Sequence, residues 1–320
     1  MTSHRMRRRH VLALAGATGA TAAFPARAQK VPRVGFLIAG DPEPVWTLFR
    51  KAMTDLGYVE GRTVKYEYRS SGATSGRLDE LAASLAGLEV DVIVACLTPA
   101  VVAAKKATSK IPIVFNGGAP DTGLVSNLAR PEGNLTGVFS PGPSLAGKAV
   151  QLFGEIRPAM KSFGVLLNKQ DPFHVPLLRE IEIVARAEKI DLVPALLESR
   201  DGLDQAMEAL VRRGVDGVLI QPTLGLVEAA QLALKYRLPA ISFRREFTEA
   251  GGLMSYSADQ VELNRALAGS VDKVLKGVPP ANIPVQQATR FELVVNQKTA
   301  RALDLVFPPL FLARADEVIE

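Results

Sequence analysis

The sequence is short of the side chains on which most catalytic and metal chemistry depends. Across 320 residues it has one cysteine, three histidines and one tryptophan. A lone Cys96 cannot close an internal disulfide, so the fold must hold by packing. His4 and His10 fall in a basic N-terminal stretch, which leaves His174, in the run Asp171-Pro172-Phe173-His174, as the one histidine of the body. A Ser–His or Cys–His pair would have to be built on that residue, and no flanking sequence forms a nucleophile elbow. Zinc would need Asp171, His174 and remote acids, a poor ligand set. No catalytic residue, metal or cofactor is therefore expected. Beyond the N-terminus no apolar run approaches transmembrane length. A basic excess is also missing from the body. Five of the 38 Lys and Arg lie in the first 28 residues, which hold no acid, and the remaining 33 balance 33 Asp and Glu. With no net charge to neutralise phosphates, nucleic acid is not an expected partner.

What is present is a repeated unit. VDVIVACLTPAVVAAKKATSKIPIVFNG at 90–117 is echoed by VDGVLIQPTLGLVEAAQLALKYRLPAISFR at 215–244. Each runs from Val-Asp into an apolar strand, a Pro and Thr, an Ala-rich helix, and a second apolar strand opened by Ile-Pro or Leu-Pro. Strands without polar alternation suit parallel sheets covered on both faces. The pattern predicts strands at 33–40, 64–69 and 134–140 beside the first unit, with helices at 44–56 and 77–88 and a short one ending near 128. After Pro141-Gly142-Pro143 a helix over 144–156 leads into a second set. Its strands fall at 163–168, 191–197, 215–221, 240–244 and 252–255, and its helices at 175–189, 202–213 and 223–236. A long helix at 260–276, a strand at 291–296 and a helix at 297–305 follow. Alternating strand and helix is the mark of an α/β fold. Gly142 to Lys148 matches G-x-x-x-x-G-K, but Ala149 stands where magnesium needs Ser or Thr and Pro143 removes a phosphate-cradling N–H. That stretch reads as a helix start.

The first 28 residues carry the pattern of an export signal. Arg8-Arg9 close a basic region, ALAGATGATAAF is a short apolar core, and Ala26-Arg27-Ala28 is an A-x-A cleavage site. The expectation is export, by the twin-arginine route, of a periplasmic monomer beginning at Gln29.

Ligands of open α/β sheets sit at the carboxyl ends of the strands. The candidates there are Gly40 and Asp41, Thr98, Pro99 and Ala100, Asn116, Gly117 and Gly118, Asn168, Gln221 and Thr223, Arg245 and Glu246, and Ser255 and Tyr256. Hydroxyls, amides and glycines dominate, an inventory for hydrogen-bonding a small polar molecule. Trp46 can stack on such a ligand, although it shares a helical face with Phe49 and Met53 and can equally be core. Thr98 as a helix cap, with Pro99 at the first helical position, would leave the N–H groups of Ala100 and Val101 free for a ligand carboxylate. Glu246 is the acid placed to meet a ligand ammonium.

The run REFTEAGGLMSY at 245–256, FELVVNQKTARALDL at 291–305, SNLARPEGNLTGV from Ser126 and the closing LARADEVIE together resemble the ABC transporter substrate-binding protein family of type I periplasmic-binding fold. The resemblance implies two Rossmann-like lobes with parallel sheets, joined by a three-crossing hinge near Gly142, Ala258 and Val285. Lobe 1 would then hold 29–142 plus 258–284, and lobe 2 would hold 143–257 plus 285–320. It also implies capture of a small ligand, favoured to be an amino acid or related carboxylate, and an inner-membrane ABC permease as partner. A sensor module for a membrane receptor is the alternative, and a periplasmic enzyme on the same scaffold a more distant one.

Overall fold

The computed structural model describes residues 30–72, 75–118 and 120–320, so the expected export signal lies outside the described residues. From Arg33 onward the chain alternates strand and helix as its apolar runs dictate. The first set is β1 (Arg33–Ile38), α1 (Val45–Asp55), β2 (Lys65–Ser70), α2 (Leu78–Gly87), β3 (Val92–Cys96), α3 (Thr98–Ala107), β4 (Ile113–Asn116) and β5 (Leu135–Phe139). The second is α4 (Gly142–Ile156), β6 (Ser162–Asn168), α5 (His174–Ala187), β7 (Asp191–Leu197), α6 (Leu203–Arg212), β8 (Val218–Ile220), α7 (Leu226–Lys235), β9 (Ala240–Ser242), α8 (Arg245–Glu249) and β10 (Met254–Ala258). The chain then runs through α9 (Gln260–Leu275), β11 (Gln286–Gln287), β12 (Phe291–Asn296), α10 (Gln297–Ala302), α11 (Pro309–Leu312) and β13 (Glu317–Ile319).

These strands form two sheets, in the orders β11-β5-β4-β3-β1-β2 and β13-β12-β10-β9-β8-β6-β7. The first is parallel throughout. The second is parallel except where β12 runs against β10. Each therefore contains the same doubly wound order, and each reverses direction beside its first strand. In the first sheet α1 and α9 cover one face, where Phe36, Phe49, Val94 and Leu267 meet, and α2 and α3 cover the other around Leu85, Ile93 and Phe115. In the second, α4 and α5 bury Phe153 and Phe163 on one face, while α6, α7 and α8 bury Met207, Leu210 and Phe247 on the other. Burial on both faces is what continuous apolar strands require.

Three differences from the sequence reading have physical causes. Residues 120–133 form turns and not the expected short helix, since Pro120, Gly123, Pro131 and Gly133 break any helical run. Helix α8 goes unforeseen because it is one charged turn. Gln286 and Gln287 pair with Val138 and Phe139, which keeps them in the first sheet. The last passage between sheets thus falls at 288–290, beyond the expected Val285. The earlier passages follow β5 and β10.

At the second passage Asp259 caps α9, accepting the N–H groups of Val261 and Glu262 at 2.8 and 3.1 Å. Asp259→Ala is expected to lower stability by about 1 kcal/mol, the usual worth of an N-cap. Urea unfolding reads this directly, and an unchanged midpoint would show that the cap contributes nothing.

Candidate functional site

Where a doubly wound sheet reverses its order, successive helices leave to opposite faces and a crevice opens at the strand ends. In the first sheet this point lies between β1 and β3, and in the second between β6 and β8. The two crevices face each other across one cavity. Its first-sheet wall is Ile38, Cys96, Leu97, Thr98, Asn116, Gly117 and Gly118, and its second-sheet wall is Asp171, Phe173, Gln221, Pro222, Thr223, Phe243 and Arg244. The passages between sheets close it with Ser140, Gly142, Leu145, Ala258, Gln260 and Leu263, and Val45 completes the lining. The space between the walls is about 800 Å³ when the open solvent at its mouth is included.

Most of this lining is apolar, and the polar groups in it are held in fixed directions. Gln221 sits at the end of β8 with its Oε1 accepting the N–H of Asn168 at 2.9 Å. That bond turns its Nε2 toward Asp171 Oδ2, 2.8 Å away. Asp171 Oδ1 accepts the Phe173 N–H at 3.0 Å, and Thr223 Oγ1 approaches Oδ2 at 3.4 Å. Even with these donors, burial pushes the Asp171 carboxyl up to about 6. A carboxylate in an apolar, water-poor wall favours a cationic partner. Ser140 adds a buried hydroxyl with no hydrogen-bond partner among the described residues.

The first-sheet wall is shaped by Leu97. Its φ of 68° and ψ of 150° lie in a region side-chain-bearing residues rarely occupy, at a cost of order 1–3 kcal/mol. The bend lets its carbonyl accept the N–H groups of both Ala100 and Val101, at 3.1 and 3.2 Å. It also brings Thr98 Oγ1 beneath the Gly118 N–H, 3.2 Å away. A side chain on Gly117 would come within 3.2 Å of the Leu97 and Thr98 backbone, so glycine is what permits this approach.

A second cavity adjoins the first and shares Leu97, Pro222, Thr223 and Arg244 with it. It is lined by Gly40, Asp41, Glu43 and Gly72 on the first-sheet side and by Arg200, Gly225, Leu226, Val227 and Glu246 on the other. Arg244 stands on the shared wall and grips Glu246 with Nε and Nη2 at 3.0 and 3.1 Å.

Of the residues expected at the site, Thr98, Asn116, Gly117, Gly118, Gln221 and Thr223 line the main cavity, and Gly40, Asp41 and Glu246 line the second. The others stand elsewhere. Leu97, not Thr98, holds the helix-cap position, and Pro99 follows Thr98 inside α3. Ala100 is fully buried in the core and its N–H is taken, so the expected anion site at this helix end does not exist. Trp46 lies among Phe36, Tyr66 and Tyr68, with ring centroids 4.9 to 5.3 Å away, as first-sheet core. Asn168 is buried as the partner of Gln221. Arg245 begins α8 facing outward and pairs with Glu249, Glu292 and Glu317. Glu246 is engaged by Arg244 and is not free for a ligand ammonium. Ser255 is wholly buried within β10, and Tyr256 stacks on Phe291. His174 opens α5 with Nδ1 2.8 Å from the Asp171 carbonyl oxygen, outside the cavity wall.

Sequence reasoning overlooked Asp171 and Phe173 as site residues, and at the end of β9 it chose Arg245 and Glu246 over Arg244, which lines both cavities. Asp171 and Phe173 lie three and five positions past a strand end, in a loop whose Asp-Pro step signals only a turn. Burial also pushes the Cys96 thiol up to about 12, against the opposing pull of Arg244, so the thiol stays protonated. Among the described residues no group of three His, Cys, Asp or Glu is arranged to hold a metal ion, and no helix is long and apolar enough to cross a membrane.

Comparison with known proteins fits this architecture. A family model described as ABC transporter substrate binding protein matches residues 46–319. A "Tyrosine-binding protein" of Clostridioides difficile (strain R20291) is 26% identical over 264 residues, covering 80% of this chain and 75% of that protein. The crystal structure of a conserved domain protein from Vibrio cholerae O1 biovar eltor matches with a TM-score of 0.84 at 26% identity, over 90% of this chain and all of that one. An ABC domain from Streptococcus pneumoniae, solved in complex with L-Trp, matches with a TM-score of 0.83 at 22% identity, over 90% of this chain and 99% of that one.

Proposed function

Because the chain belongs to the ABC transporter substrate binding protein family and has the two-sheet fold of type I periplasmic binding proteins, we propose that it captures an α-amino acid with a bulky apolar side chain, aromatic ones favoured. The observation that carries this reading is the buried Asp171 carboxylate facing a mostly apolar cavity. An ammonium group meets Asp171, and the side chain fills the space among Ile38, Leu145, Phe173, Phe243 and Leu263. Capture needs no bond to be made or broken, so the ligand is released unchanged. The tyrosine-binding relative and the L-Trp complex support the ligand class.

In this reading the first 28 residues direct export by the twin-arginine route and are removed after Ala28. The mature protein is a periplasmic monomer that hands its ligand to an inner-membrane ABC permease. Mass measurement of periplasmic material is expected to show a start at Gln29, and an intact N-terminus would refute the export step.

A thermal-shift screen of the protein from Gln29 onward, against amino acids, sugars, nucleosides and organic acids, tests the ligand class. An aromatic amino acid at a hundred times its Kd is expected to add about 2.7 kcal/mol of stability. A shift with a sugar and none with any amino acid would overturn the reading.

A further inference from the structure

The ligand's carboxylate has no holder in the place the sequence indicated, because the helix N–H groups at Ala100 and Val101 are spent on Leu97. We propose that Arg244 binds it, with Glu246 as the residue that positions the guanidinium. This inference rests on the amino-acid reading above and identifies the second half of the recognition.

Three observations carry it. Arg244 lines both cavities, at the wall they share, and its side chain is 13% exposed. Glu246, at 15%, takes one N–H from Nε and one from Nη2 in a two-pronged pair. A guanidinium has five N–H groups in a rigid plane, so three, including both on Nη1, have no acceptor among the described residues. Glu246 therefore neutralises and orients the group without exhausting it. Planar guanidinium donors match a carboxylate better than any lysine could.

Charge decides the side from which the carboxylate arrives. The second cavity presents Asp41 and Glu43 on its first-sheet side, with Arg200 and the already engaged Glu246 opposite. An anion there would face two acids. In the main cavity the acid is Asp171, itself the expected partner of the ligand ammonium. A zwitterion in the main cavity thus spans Asp171 and Arg244 with opposite charges, and its side chain is left to the apolar wall. Neutral apolar molecules of the same size leave Asp171 without a cation and the spare N–H groups of Arg244 without an acceptor, and bind poorly.

The test compares each amino acid with the amine that lacks only its carboxylate: L-tyrosine with tyramine, L-tryptophan with tryptamine and L-phenylalanine with phenethylamine. In calorimetric titrations the parent is expected to prefer the acid roughly 10- to 150-fold, the range for a hydrogen bond to a charged group. Arg244→Gln is expected to erase that preference while leaving amine binding within about threefold of the parent. Since this change strands Glu246, the double variant Arg244→Gln/Glu246→Gln repeats the test with no unpaired charge. Glu246→Gln alone keeps the preference but reduces it. An Arg244→Gln protein that folds and still prefers the acid by the parent ratio overturns the assignment of Arg244. A parent that binds none of the six probes overturns the amino-acid reading, and the role of Arg244 with it. An Arg244→Gln protein that loses acid and amine binding equally shows a structural role and also refutes the proposal.

Discussion

Ligand affinity is expected to fall about tenfold between pH 7.5 and pH 5, while the free protein becomes more stable over the same interval. Both trends come from Asp171, whose carboxyl is raised to about 6 chiefly by burial. A carboxyl raised above its unfolded value near 3.9 holds its proton more tightly in the folded chain. Its contribution to folding is therefore complete below about pH 4 and is lost as pH rises through 6. The difference between those limits is on the order of 2–3 kcal/mol. A bound ammonium acts the other way, favouring the ionised carboxylate, so at pH 5 the ligand must first displace a proton. Asp171→Asn is expected to flatten both profiles and to weaken binding at pH 7.5 by a hundredfold or more, since truncating one member of a buried charge pair costs about 2–5 kcal/mol. Histidines ordinarily change charge in this window, and His174 touches the Asp171 carbonyl, so His174→Asn is the control. Profiles flattened by His174→Asn and untouched by Asp171→Asn would sink the assignment.

Gly118→Ala is expected to weaken binding roughly 5- to 150-fold and to keep the protein from contracting around its ligand. The ring of Phe173, carried by the second sheet's loop, lies directly over Gly118 at the end of the first sheet. An added Cβ would stand 2.3 Å from that ring, and on Gly142 it would stand 2.2 Å from the ring's far edge. The ring thus fits between two glycines, and overlap of this kind costs about 1–3 kcal/mol in a packed site. Small-angle scattering with and without ligand reads the contraction. A second change, Phe173→Leu in the Gly118→Ala background, is expected to restore part of it. Full affinity and full contraction in Gly118→Ala alone would show that the ring moves aside freely.

The fold was legible because its signals are local. Uninterrupted apolar runs such as Val92–Cys96 and Ile113-Val114-Phe115 identify buried parallel strands whatever lies around them. Elements that depend on neighbours left no such trace: Gln286–Gln287 is a strand only because Val138 and Phe139 pair with it. The site shows the same division. Strand-end residues such as Thr98, Asn116 and Gln221 could be placed by counting along a strand. Arg244 and Arg245 are adjacent in sequence, yet one faces the cleft and the other the outer surface. That outcome depends on Arg244 being extended, φ −146° and ψ 132°, with the helix starting one residue later. Asp171 owes its interest to burial by β8 and its loop, which no local pattern records.

The position of α9 has a consequence for how the chain is made. Leu263, Leu267, Ala268, Val271 and Val274 complete the core around Phe36, Phe49 and Val94, and β11 completes the sheet beside β5. Every residue of the second sheet as far as β10 is synthesised before them. A ribosome that has delivered β1 to β5 has delivered a lobe with one face covered only by α1, at a stage when exposed apolar surface invites aggregation. The second lobe, too, waits for β12 and β13. Neither half can finish before the other is nearly complete, so the chain matures as a single interlocked unit, late in its own synthesis.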